Sequence, residues 1–181
     1  MKTILTASLC ALLAAATVAH AWDPREVDKL HAGAEKAKAA MLEQDASMER
    51  FFDTAAGWVI IPTVGKAGVG LGGALGKGLL YEKGRPESPT AIVRLVQVTV
   101  GFQWGGQAYS EFLFLRDEAA LENFKRGDFE LGAQASAVAV TVGASADANY
   151  SNGVAVFTHA KGGLMYEATI GGQRFKVAPL E

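Results

Sequence analysis

Along residues 23–41 the apolar positions recur at intervals of three and four: Val27, Leu30, Ala34, Ala37 and Met41. Lys and Glu fill the positions between them, so the pattern predicts an amphipathic helix. Asp23-Pro24-Arg25-Glu26 supplies its start. Asp23 can accept from free amides, Pro24 suits the first helical position, and Glu26 completes a capping box. The stripe is rich in alanine and low in volume, which lets the helix approach a partner closely. A second short helix is expected at 46–55, with Met48, Phe51 and Phe52 inward.

From residue 57 the period changes to two, the signature of strands. Strands are expected at 57–63, ended by Pro62, and at 68–82. A Gly/Pro turn at 83–89 leads to a long strand at 90–104. Gly105-Gly106 then predicts a hairpin into 108–116. Asp117 is read as the cap of a short helix at 118–124, with Leu121 and Phe124 inward. Further strands are expected at 129–131, 133–145, 153–159, 163–170 and 174–177. Few long helices separate these strands, which argues against parallel βαβ winding. The predicted fold class is α+β, with an N-terminal helical segment packed on a mostly antiparallel, strongly curved sheet or partly closed β-barrel. The helical part is placed at 23–55 and the β-rich part at 57–178.

Within this pattern one segment stands apart. Gly68, Gly70, Gly72, Ala74, Gly76 and Gly78 put a small residue at every second position, so one strand face is nearly bare. Glycine weakens a strand interior, so something must come close to that face: a helix, another backbone or a ligand. The helix at 23–41 is expected on one of the small-faced strands. Ala133, Ala135, Ala137, Ala139, Thr141, Gly143 and Ser145 repeat the device. The run Gly68-Val69-Gly70-Leu71-Gly72-Gly73 matches G-x-G-x-x-G in letters only. No helix start follows it, and no well-placed acid stands about twenty residues on, as a dinucleotide site requires.

Composition narrows the function. Lys2, an apolar run over 4–16 and Ala19-His20-Ala21 read as an export signal cut after residue 21. That leaves a single domain over 22–181, expected in the periplasm, with full secretion as the alternative. Cys10 would be removed with the signal, so the domain is no disulfide scaffold. Dropping Lys2 from the 17 basic residues leaves 16 against 19 acidic. That balance opposes nucleic-acid binding. His31 is expected on a helix surface and His159 at a strand end, and with no cysteine neither implies zinc. No nucleophile elbow or triad spacing occurs, no cofactor is implied, and the reading is non-enzymatic. Trp58, Trp104 and Tyr109 read as core or, alternatively, as residues near a membrane interface. Lys66, Lys77, Lys83 and Arg85 read either as a basic patch for anionic head groups or as a solvated turn.

Four stretches in register carry a family resemblance. They are Ala56-Gly57-Trp58-Val59-Ile60-Ile61-Pro62, Lys66-Ala67-Gly68-Val69-Gly70-Leu71-Gly72-Gly73 with Gly76 and Gly78, Gly101-Phe102-Gln103-Trp104-Gly105-Gly106-Gln107, and Ala160-Lys161-Gly162-Gly163-Leu164. Together they resemble the SYLF domain, a lipid-binding module, from about residue 45 to 177. The resemblance implies phospholipid binding, and in some members actin binding, which is not expected of an exported protein. In eukaryotic members an amphipathic N-terminal helix contributes to membrane contact. The matching helix here lacks the bulky side chains that drive insertion. Lys66, Lys77 and Lys161, which fall within the matched motifs, are therefore the candidate lipid-binding residues. The expected partner is anionic phospholipid or a membrane surface at the cell envelope. The alternative is an envelope scaffold that binds protein and has no lipid affinity of its own.

Overall fold

The structure, a computed structural model, describes residues 23–101, 107–132, 136–141, 150–161, 168–169 and 172–180. The expected export signal at 1–21, Phe102, Trp104 and most of 133–145 and 163–170 lie outside these residues.

Helix α1 spans Pro24–Gln44, and the Asp23 side chain accepts from the Arg25 amide at its start. A 3-10 turn at Ala46–Met48 leads into α2, Glu49–Thr54. Strands β1 (Gly57–Glu82), β2 (Ala91–Gly101) and β3 (Gln107–Leu115) follow. Helix α3 (Glu118–Lys125) is capped by Asp117. The chain continues through β4 (Asp128–Glu130), β5 (Ser136–Ala139), β6 (Val154–Ala160), β7 (Ala168–Thr169) and β8 (Gln173–Pro179). The strands join in the order β4-β8-β2-β1-β3-β6-β5-β7, and the sheet curls into a half-barrel. Among the described residues every strand pair is antiparallel except β5 with β6.

Two expectations change. First, Pro62 does not end a strand, because β1 runs unbroken for 26 residues. At Pro62 the ladder to β3 shifts register: Pro62 and Thr63 together oppose Ser110. This is a β-bulge, which accommodates a residue with no N–H to donate. The Ser110 hydroxyl donates to the Pro62 carbonyl at 2.9 Å. Second, β2 and β3 form no hairpin. Both run antiparallel to β1, and each pairs with a different half of it. They therefore point the same way along the sheet. Trp58 and Tyr109 are buried, as the core reading of these aromatics expects, and the interfacial alternative does not apply to them.

The long strand folds back over itself. A Cβ built on Gly78 would overlap the Ile60 carbonyl, and one on Gly76 would lie 2.8 Å from Ile61 Cγ2. The partner that the bare face requires is thus the N-terminal half of the same strand. Helix α1 lies on the opposite, outward face, where Gly33 meets the Pro62 ring. Two cores result. Val59, Ile61, Ala74, Leu80, Leu113 and Phe175 fill the inside of the curl, joined by Leu121 and Phe124 of α3. Outside, α1 and α2 cover Trp58, Ile60, Leu79, Tyr81 and Phe114 with Ala34, Met41, Phe51 and Phe52. His31 belongs to this docking. It is partly buried and hydrogen-bonds Tyr81 through Nδ1 at 2.9 Å, so it is not a free surface residue.

Candidate functional site

Beside α1 runs a groove of about 770 Å³. The helix gives it Lys29, Leu30, Lys36 and Ala40, which recur at helical spacing along one side. Strand β1 gives Pro62, Thr63 and Lys77, and β3 gives Ser110. His159 and Ala160 at the end of β6, followed by Lys161, form the far wall. The small residues explain the shape. Gly33 lets the helix rest on Pro62, while Ala37 and Ala40 leave the space above the sheet empty.

Its chemistry is amphipathic. Leu30, Ala37, Ala40 and Pro62 offer apolar surface, and four lysines stand around it. Lys77 pairs with Glu26 at the helix start. Lys161 donates to the Thr63 hydroxyl at 2.7 Å. Partial burial pulls the Lys161 amine below its ordinary range, and the charge of Lys36 pulls it further. Two ammonium groups that disfavour each other beside apolar surface form a site that an anion would relieve.

Of the three candidate lysines, the groove brings together Lys77 and Lys161. Lys66 is elsewhere. It is buried inside the curl, among Gln97, Tyr109, Glu111, Thr158 and Gln173. Burial lowers the Lys66 amine, against the pull of Glu111. Burial also pushes the Glu111 carboxyl up to about 8, only partly offset by Gln173, Tyr109 and Lys66. Gln173 donates to Glu111 Oε2 at 3.0 Å. Thr158 Oγ1 and Gln173 Oε1 are buried with no hydrogen bond among the described residues. This polar layer faces inward, so it is not offered to a membrane.

The sequence marks neither Lys29 nor Lys36 as a site residue, and it places His159 at a strand end, where β6 has it, without a part in a groove. The first two carry a readable signal, because they flank Gly33 and Ala37 at helical spacing. His159 carries none, since its place depends on the pairing of β6 with β3. Among the described residues, no helix is long and apolar enough to cross a membrane.

Residues 96–178 match the Ysc84 family, described as Las17-binding protein actin regulator. The matched span contains the stretches at 101–107 and 160–164, whereas those at 56–62 and 66–73 precede it. No curated protein matches the chain.

Proposed function

With residues 96–178 belonging to the SYLF (Ysc84) family, we propose a protein that binds anionic phospholipid through the groove beside α1. The observation that carries this reading is the juxtaposition of Lys36 and Lys161 over apolar surface from Leu30, Ala40 and Pro62. A phosphate would sit between the two amines, and the first part of an acyl chain would lie along the apolar side. Lys29 would add attraction at the rim, worth about 1 kcal/mol near an anionic surface, and Lys77 less, since Glu26 pairs with it. The role is binding without catalysis, in an exported protein at the cell envelope. This role leaves out the actin regulation in the family's description, because an exported protein does not meet actin.

Co-sedimentation with vesicles tests the proposal. Binding to phosphatidylglycerol vesicles, absent with phosphatidylcholine and weakened by salt, is the expected result. Lys36→Glu with Lys161→Glu should weaken it markedly. Wild-type affinity in that double variant would remove the groove from the account. No binding to any vesicle would favour the second reading, an envelope protein partner.

A further inference from the structure

A second surface lies on the same outward side of the sheet, past the start of α1. Register places Lys77 of β1 opposite Arg94 of β2, and Arg94 opposite Lys176 of β8. Three exposed cations therefore stand side by side on adjacent strands, about 5 Å apart. Like charges directly opposite one another destabilise a sheet. The next positions along the same face are apolar. Leu75 is opposite Val96, and Val98 comes two residues further on. These side chains are 66%, 44% and 71% exposed, and they are the exposed large hydrophobic residues among those described. Beside them a hollow of about 500 Å³ is bordered by Arg174, Lys176 and Glu130. Arg174 is paired with Glu130 at 3.0 Å and Lys77 with Glu26, so the carboxylates at the rim are engaged by cations.

We infer that this sheet face seats on an anionic bilayer, with Leu75, Val96 and Val98 entering the interfacial layer and the Lys77–Arg94–Lys176 row at the level of the phosphates. The charge row selects this occupant, because it would repel a second copy of the same row but attract lipid phosphates. Exposed aliphatic tips next to the row give apolar contact that a purely electrostatic surface lacks. Lys77 belongs to both surfaces, so this seating brings the mouth of the groove to the head groups. The inference takes its partner class from the lipid reading above, and of its contacts only Lys77 is shared with the groove.

Two probes separate the surfaces: phosphatidylglycerol vesicles, and a short-chain phosphatidylglycerol kept below its micelle concentration. In the protein with Leu75→Thr, Val96→Thr and Val98→Thr, vesicle affinity should fall roughly tenfold or more, while affinity for the soluble lipid stays unchanged. Threonine suits an exposed strand, which favours a folded variant. Arg94→Glu with Lys176→Glu gives an independent test, with the same expected loss and a flattened salt dependence. Vesicle affinity unchanged in both variants would overturn the inference. So would wild-type protein that binds the soluble lipid but no vesicles, although the groove would then stand. Vesicle binding without soluble-lipid binding would sink the groove and leave the face supported if the variants lose it. A wild-type dimer that the threonine variant reduces to monomer would reassign the face to contact between copies.

Discussion

Gly78 lies against the backbone of Ile60, in the same strand and 18 positions earlier, so closely that no side chain fits between them. Gly78→Ala should therefore force the two halves of β1 apart and cost about 3 kcal/mol or more. Nothing lies within 4 Å of a Cβ at Gly65, so Gly65→Ala should leave stability within about 1 kcal/mol of wild type. Urea unfolding of the two variants measures the contrast. Equal stability would mean that the strand does not cross itself as described.

Glu111 makes stability depend on pH. Its carboxyl is held up to about 8 in the folded protein, against 4.5 ordinarily. Between those values the unfolded chain gives up its proton first, so this group's contribution falls as pH rises from about 4.5 to about 8 and then levels off. The loss amounts to roughly a few kcal/mol. Lys66, Tyr109 and Gln173 are the polar groups around it. Glu111→Gln should remove this slope, as read by thermal unfolding across the window. A slope unchanged in the variant would assign the pH dependence to another group.

Lys161 titrates below an ordinary lysine. As pH rises it loses its charge early, and affinity for phosphatidylglycerol vesicles should fall with it. Lys161→Arg keeps the charge at all working pH values. It should extend binding to higher pH while matching wild type near neutrality. Identical pH profiles for the two proteins would show that Lys161 carries none of the binding.

The His31–Tyr81 hydrogen bond joins α1 to the outer face of β1. Tyr81→Phe keeps the ring, which stacks on Trp58, and removes only the hydroxyl. The expected cost is about 1 kcal/mol. It should appear in equilibrium unfolding, with the Trp58 emission of the native state preserved.

The helices were readable because their signals are local. Asp23 and Asp117 cap as their neighbours require, and Ala34, Ala37 and Met41 face the core as their spacing implies. The bare face was readable, but its neighbour was not, since the sequence does not say how sharply a strand curls. The position of Lys66 turned on the bulge. Trp58 and Ile60 point outward, yet Val64 and Lys66, of the same parity, point inward, because the extra residue at Pro62–Thr63 switches faces. Read as a regular strand, β1 would have put Lys66 outside with Lys77 facing the curl. The groove depends on four elements meeting, so the sequence showed its lysines without showing their company.

Since Gly57–Glu82 serves as a strand in both walls of the curl, no line divides the protein into two parts that each keep a complete interior. Partial opening has nowhere natural to stop. Amides at the centres of β2 and β3, on opposite flanks of that strand, should exchange with deuterium at a shared limiting rate set by global unfolding, so that the sheet behaves as one cooperative unit.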